Sequence, residues 1–258
     1  MITSPHNPRI KHIRALQSSS RKRRELRSFI VEGVRLAEEA FASGWNATQV
    51  LYTELLDQRG MKVVEGFGSS GVATELISES VMKLASDTQT PQGILVEFKM
   101  KTLPQPDPLN FVLILDAIHD PGNLGTILRT ASAAAVDIVL LTPGTVDPYA
   151  PKVLRAGMGA QFHLPIQQLN WDEITNLVES LQIYLASAAA PMTYTQVDLT
   201  VPLAIIIGSE ARGADQKALL LSPLPVSIPM PGGSESLNTA VAAGVMLFEA
   251  LRQRSRAG

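Results

Sequence analysis

Apolar and polar positions alternate along this chain in two different styles, one before and one after a proline-rich break. From Ile10 to Arg27 apolar residues recur at helical spacing, interrupted at Ser18-Ser19-Ser20. Phe29-Ile30-Val31 predicts a short strand, and Gly33 opens a helix over Val34 to Ala42 that Ser43-Gly44 closes. Gln49 to Tyr52 predicts a second strand with helical residues after Thr53. Val63-Val64, Val72 to Leu76 and Ile94 to Phe98 read as further strands, and Ser80 to Ala85 as a short helix. Together these predict a small α/β sandwich. Lys101 to Pro108 then places Pro104, Pro106 and Pro108 at alternate positions, the composition of a linker.

Beyond the break the strands change character. Phe111-Val-Leu-Ile-Leu115 and Leu203-Ala-Ile-Ile-Ile207 are continuously apolar, as strands buried on both faces of a parallel sheet are. Ile138 to Leu141, Phe162 to Pro165, Ile183 to Ala186 and Val226 to Ile228 add strands. Helices are predicted over Leu124 to Ala135, Lys152 to Ala160, Asp172 to Leu181 and the long C-terminal stretch after Ser236. Strands alternating with helices predict an open parallel sheet, with ligands expected at the carboxyl ends of its strands. The expected division is a first α/β domain over 1–98, a linker over 99–110 and a second domain over 111–258.

Composition narrows the function. With no cysteine among 258 residues there is no disulfide, thiolate nucleophile or Cys-bound metal, and His6, His12, His119 and His163 lack metal-ligand spacing. No metal is expected. No apolar run is long enough to span a membrane, and Met1 to Pro8 lacks the apolar core of a signal peptide, so a cytoplasmic protein is expected. The net charge of −2 conceals an asymmetry. Eight of the 22 Lys/Arg (Arg9, Lys11, Arg14, Arg21, Lys22, Arg23, Arg24 and Arg27) lie in the first 30 residues beside one acid, Glu25. A basic arm on an acidic body points to nucleic acid, with a plain solvated helix face as the alternative. No aromatic interrupts the arm, so phosphate contact is expected rather than base stacking.

Three polar turns follow apolar strands. Asp120-Pro-Gly-Asn123 leads into a helix with Asn123 as the expected N-cap, and Arg129 interrupts that helix's small apolar run. A snorkelling surface arginine is the ordinary alternative. The second turn is Gly208-Ser-Glu210-Ala-Arg-Gly213. The third, Ile228-Pro-Met-Pro-Gly-Gly-Ser-Glu-Ser236-Leu-Asn238, enters the last helix through Ser236, either as a site for a polar or anionic ligand or as the cap of a core helix. P-loop, dinucleotide-binding and nucleophile-elbow motifs are all absent.

Taken together, Asn123-Leu-Gly-Thr-Ile-Leu-Arg129-Thr130, Gly208 to Gly213, and Ile228-Pro-Met230 with Ser236-Leu-Asn238 resemble the three motifs of the SpoU (TrmH-type) RNA ribose 2′-O-methyltransferases. The resemblance covers about residues 110–256. The N-terminal part, through Phe29-Ile-Val-Glu-Gly-Val-Arg35, more loosely resembles the ribosomal-protein-like domain that precedes the catalytic domain in the rRNA-modifying branch. The resemblance implies a parallel sheet whose C-terminal segment forms a deep trefoil knot, S-adenosylmethionine bound in that knot, and a homodimer packed through it. Carried over by motif, Gly208, Ile228 and Leu237 would contact the cofactor, while Leu141, Thr142 and Ala186 are expected in the same pocket from strand order. Arg129, Asn123, Glu210, Ser236 and Asn238 would form the catalytic constellation. Thr239-Ala240 stands where Val-Ser is commoner, which leaves a second hydroxyl in doubt.

The implied reaction is attack of a ribose 2′-hydroxyl on a sulfonium methyl. Guanidinium stays protonated, so Arg129 is expected to clamp phosphate and stabilise negative charge rather than remove a proton. Glu210 would orient Arg129 or nearby backbone. The basic arm and Arg155, after Pro151, are expected to touch RNA, and His119 and His163 to be turn and core residues. The alternatives are a tRNA-directed enzyme, a drug-resistance methyltransferase acting on another rRNA nucleotide, and a non-catalytic ribosome-associated binder.

Overall fold

A computed structural model describes residues 1–209 and 213–257. In chain order the elements are α1 (Pro8–Ser18), α2 (Ser20–Leu26), β1 (Ser28–Glu32), α3 (Val34–Ala42), β2 (Ala47–Tyr52), α4 (Gln58–Ser69), β3 (Ala73–Leu76), α5 (Glu79–Ala85) and β4 (Ile94–Lys99). They continue as β5 (Phe111–Leu115), α6 (Pro121–Ala133), β6 (Ile138–Leu141), α7 (Pro151–Gly157), β7 (Ile166–Gln168), α8 (Trp171–Val178), β8 (Gln182–Ala186), β9 (Leu203–Ile207), α9 (Gln216–Leu219), β10 (Leu224–Val226) and α10 (Thr239–Ala257). Two compact units result, Met1–Lys101 with Asp147–Phe162, and Thr102–Val146 with His163–Gly258. The expected boundary near residue 99 therefore falls close to a division, but Asp147–Phe162, expected in the second domain, clusters with the first unit.

The first unit is built on a sheet ordered β1-β4-β2-β3, in which β2 and β3 run parallel and the other pairs antiparallel. Asn7 starts α1 by accepting from the Arg9 N–H at 2.9 Å, with Pro8 in the first turn where its missing N–H costs nothing. Ser19 starts α2 in the same way, and Arg27, at φ 48°, ends it. Val63-Val64 lies inside α4, not in a strand. Asp57 caps that helix, and Gly60, Val64 and Phe67 form its buried face at helical spacing.

Asp147–Phe162 completes the core of this unit. The Tyr149 ring lies 4.7 Å from that of Phe29, and the Trp45 indole donates to the Phe162 carbonyl at 3.1 Å. Arg23, only 4% exposed, bonds Asp147 Oδ2 through Nε at 2.7 Å. Its Nη1 donates to the carbonyls of Leu16 and Gln17 at 2.6 and 3.1 Å, satisfying the open C-terminal end of α1.

The second unit is a sheet ordered β10-β8-β9-β5-β6-β7, parallel throughout its described pairs. The continuous apolar runs predicted for it are buried along their whole length in β5, β6 and β9. Val112, Ile114, Ala204 and Ile206 pack against Trp171, Ile174 and Val178 of α8. The stretch expected as a strand at Phe162 to Pro165 is a 3-10 turn over Ala160–Phe162, and pairing begins only at Ile166. α6 packs against α10. Among the described residues no helix is long and apolar enough to cross a membrane.

On α10 the Arg252 guanidinium grips Glu249 through two bonds of 2.7 Å, and Gln253 adds a third at 2.9 Å. These bonds, that of Arg252 first, hold the Glu249 carboxyl at about 2, below its ordinary 4.5. A carboxyl lowered by folding stabilises the fold fully above its unfolded value and loses that contribution as pH falls through the folded one. Denaturant midpoints should accordingly fall between about pH 4.5 and 2. Glu249→Gln should flatten that slope, and an unchanged slope would show that the grip contributes nothing.

Candidate functional site

Three loops leave the carboxyl ends of neighbouring parallel strands and enclose one cavity of about 280 Å³ within the second unit. Ala186 ends β8, with Ser187 and Ala188 after it; Gly208, Ser209, Gly213 and Ala214 follow β9; Ile228, Met230, Ser236 and Leu237 follow β10. Leu185, Ile207 and Val226 form the strand-end wall, and Thr239 and Ala242 bring in the first turns of α10. Open parallel sheets leave their crevices at this end, where loops diverge and backbone groups lack strand partners.

The second loop folds back on itself. Ser209 and Gly213 exchange backbone hydrogen bonds of 3.0 and 2.9 Å, which brings the returning chain onto Gly208. A Cβ at Gly208 would lie 2.4 Å from the Gly213 carbonyl carbon and 2.6 Å from the Ala214 nitrogen, so only glycine fits without moving backbone. Glu210 lies outside the described residues.

The third loop ends two residues later than the sequence suggests. Asn238, not Ser236, caps α10, its Oδ1 accepting from Ala240 N–H at 2.9 Å and Val241 N–H at 3.3 Å. Asn238 competes better because its carbonyl reaches two N–H groups from the cap position, which leaves Ser236 exposed on the cavity wall. At the first turn the helix starts earlier than expected. Asp120 caps α6 by accepting from Asn123 N–H at 2.7 Å, with Pro121 in its first turn, so Asn123 sits inside the helix. Asn238 Nδ2 then donates to Asn123 Oδ1 at 3.0 Å, tying the third loop to the helix that carries Arg129.

Gly208, Ile228, Leu237, Ala186 and Ser236 thus meet at one cavity. Leu141 and Thr142 do not. β6 lies on the far side of β5 from β8, β9 and β10, so its carboxyl end is displaced sideways along the same sheet edge and is not part of the cavity lining. Leu141 is fully buried, and the Thr142 hydroxyl donates to Asp116 Oδ1 at 2.9 Å. Arg129 is exposed on α6 and does not line the cavity of its own chain. His119 and His163 are both exposed, so His163 is not the core residue expected. Ser187, Ala188, Ser209, Ala214 and Ala242 escaped the sequence reading because small residues at strand ends and on helix faces carry no distinctive chemistry.

The basic arm belongs to the first unit. Lys11, Arg14, Arg21, Arg24 and Arg27 are exposed. Arg9 is exposed beside Glu75 at 3.2 Å, and Lys22 beside Glu25 at 3.0 Å. Arg23 is the correction, since burial against Asp147 removes it from any phosphate-binding surface. Arg155 is half-buried, with Nη2 bound to Asp87 at 2.8 Å, so it pins the first unit internally.

Comparison with known proteins accords with this geometry. Residues 110–248 match the SpoU rRNA Methylase family, and residues 7–96 match an MRM3-like substrate binding domain. An uncharacterised tRNA/rRNA methyltransferase of Synechocystis is 35% identical, over 98% of this chain and 94% of its own. The 23S rRNA (guanosine(2553)-2′-O)-methyltransferase RlmP of Bacillus subtilis is 31% identical, over 96% of this chain and 97% of its own. The structure of an AdoMet-bound rRNA methyltransferase from Sinorhizobium meliloti superposes with a TM-score of 0.87 at 31% identity, covering 97% of both chains. On the family match and on relatives that align over nearly its whole length, this chain belongs to the SpoU rRNA methylase family.

Proposed function

We propose that this protein transfers a methyl group from S-adenosylmethionine to the 2′-hydroxyl of a ribose in structured RNA, with ribosomal RNA as the substrate. The observation that carries this is the convergence of the second and third motif loops on one strand-end cavity, in a chain whose first unit matches a substrate-binding domain. The rRNA enzymes of Bacillus and Sinorhizobium are similar over both units, which favours rRNA over tRNA and supports a cytoplasmic protein.

The cavity suits this donor. Leu185, Ile207, Val226 and Leu237 offer apolar walls for an adenine ring, and strand-end backbone with Ser187, Ser209 and Ser236 offers polar partners for ribose and amino acid groups. When bound, S-adenosylmethionine supplies a methyl on a sulfonium that departs readily. The protein's task is then to position the ribose and stabilise charge on its oxygen. The Arg129 guanidinium clamps the adjacent phosphate and stabilises the developing 2′-oxyanion, and the hydroxyl proton passes to solvent as the oxygen takes the methyl. Asn123 and Asn238 hold the third loop to the Arg129 helix. The proposed role of Glu210 is to orient Arg129.

The knotted path and the homodimer belong to the same reading. Ser227 N–H donates to the Met192 carbonyl at 2.8 Å and Tyr194 N–H to the Ser227 carbonyl at 2.9 Å; Leu199 N–H reaches Gln253 Oε1 at 2.9 Å. These bonds stitch the loop after β8 to the chain that follows β10 and to α10, a pairing consistent with a threaded C-terminus. Val241 and Phe248, 51% and 48% exposed, lie seven residues apart with Val245 between them on one face of α10. An apolar stripe beside the Arg129 helix supports a dimer in which Arg129 of one chain serves the cavity of the other.

The test is to incubate purified protein with methyl-labelled S-adenosylmethionine and ribosomal RNA, then digest to nucleosides. Label in a 2′-O-methylnucleoside is expected; label in a base, or none, would refute the reading. RNA affinity should also depend steeply on salt. Neutralising Arg14, Arg21 and Arg24 together is expected to reduce the slope of log affinity against log salt by about two, leaving S-adenosylmethionine affinity unchanged. Parallel losses in both affinities would argue against separate RNA and cofactor sites.

A further inference from the structure

The apolar strand β5 ends directly in a carboxylate. Asp116 is 3% exposed at the carboxyl end of a central strand, and its N–H continues the pairing by donating to the Ile207 carbonyl at 2.9 Å. Its two side-chain oxygens reach in different directions. Oδ1 accepts from the Thr142 hydroxyl at 2.9 Å, and Oδ2 accepts from the Asp215 backbone N–H at 2.7 Å. Thr142 Oγ1 in turn accepts from Ala117 N–H at 3.0 Å.

Asp215 is the point at which the second loop leaves the cavity. It follows Gly213 and Ala214, which line the cavity and crowd Gly208, and its own side chain caps α9 by accepting from Lys217 N–H at 2.8 Å. Asp116 therefore grips the second loop from behind, at a residue adjoining the wall. The Ser209–Gly213 bridge closes the loop on itself but does not anchor it to the sheet; the Asp116–Asp215 bond does.

We propose that Asp116 is a positioning residue for the methyl donor. It touches no ligand, and it sets the distance of Gly213 and Ala214 from the cavity by holding Asp215 to the end of β5. This rests on the cofactor reading of the cavity. Deleting the carboxylate leaves the Asp215 N–H and the Thr142 hydroxyl without their buried acceptor and frees the loop to shift. Asparagine preserves the arrangement: its Oδ1 accepts from Asp215, and its amide donates to Thr142 Oγ1, whose proton turns to the Pro143 carbonyl 3.5 Å away.

The test compares wild type, Asp116→Ala, Asp116→Asn and Thr142→Val in S-adenosylmethionine titrations and in steady-state methylation. Asp116→Ala is expected to raise Kd and KM for S-adenosylmethionine about tenfold or more, with kcat at saturating donor and KM for RNA within about threefold of wild type. Asp116→Asn should recover most of the affinity. Loss of kcat per mole of protein with Kd unchanged would mean a merely structural role and would overturn the proposal, as would an asparagine variant no better than alanine. Should Asp116→Ala fail to fold, Thr142→Val decides, with a several-fold rise in Kd expected and an unchanged Kd contradicting the proposal. If wild type itself binds no S-adenosylmethionine, the cofactor reading fails first, a result distinct from tight binding that ignores Asp116.

Discussion

Arg129→Ala should lower kcat about 10²- to 10³-fold, the usual cost of removing one donor aimed at a developing oxyanion. S-adenosylmethionine affinity should hardly change, because the proposed partners of Arg129 are the RNA phosphate and the 2′-oxygen rather than the donor. Arg129→Lys should recover little of the loss, since a point charge cannot replace the planar fork that grips phosphate and alkoxide together. Near-wild-type turnover by the lysine variant would show that the clamp is wrong. Mixed dimers of Arg129→Ala with a cavity-blocked Gly208→Val chain separate the two possible geometries. If Arg129 acts across the interface, activity returns only in the dimer that pairs an intact cavity on one chain with an intact Arg129 on the other. The first chain retains its cavity and the second its guanidinium, so one working site forms per mixed dimer. If Arg129 serves its own chain, mixing restores nothing.

The second large effect concerns stability. Arg23→Met should destabilise the protein by about 3–5 kcal/mol, because it strands Asp147 in a nearly dry site. The Leu16 and Gln17 carbonyls lose their donor as well. Against a total of about 5–15 kcal/mol this is a large fraction. Pairing Arg23→Met with Asp147→Leu should return much of the loss, since an apolar pair of similar size carries no unpaired charge. Denaturant titration of the four proteins in that cycle gives the coupling. Additive losses would show that the two side chains act independently. At temperatures where Arg23→Met is folded, the salt slope of RNA binding should match wild type, which separates a structural arginine from its phosphate-facing neighbours.

That arginine shows where sequence reasoning stops. In the run Arg21-Lys22-Arg23-Arg24 nothing local distinguishes the third residue, because its partner lies 124 positions away. The same holds for Asp147–Phe162, whose aromatics Tyr149 and Phe162 complete a cluster around Phe29 and Trp45 that exists only after folding. Much of the second unit was legible because strands buried on both faces must be apolar throughout, and β5, β6 and β9 are. The helix starts were nearly legible. In Asp120-Pro121-Gly122-Asn123 two residues compete for the cap, and proline's preference for the first turn decides for Asp120. In Ser236-Leu237-Asn238 the chemistry of both candidates is suitable, and only the path of the loop selects Asn238.

Strand order was the other hidden quantity. Leu141 and Thr142 end a strand as Ala186 and Gly208 nearly do, yet one intervening strand, β5, removes them from the cavity. Thr142 instead supports it at one remove, through Asp116. The sequence alone gives no indication of this, since a threonine after an apolar strand is an ordinary turn residue.

A crystal structure of the protein with S-adenosylhomocysteine is the most direct test. Ligand density is expected against Ala186 to Ala188, Gly208 with Gly213 and Ala214, and Ile228 to Leu237, with an Arg129 from one of two paired chains facing its sulfur. Ligand bound elsewhere, or an Arg129 directed away from the cavity in every subunit, would contradict the proposed site.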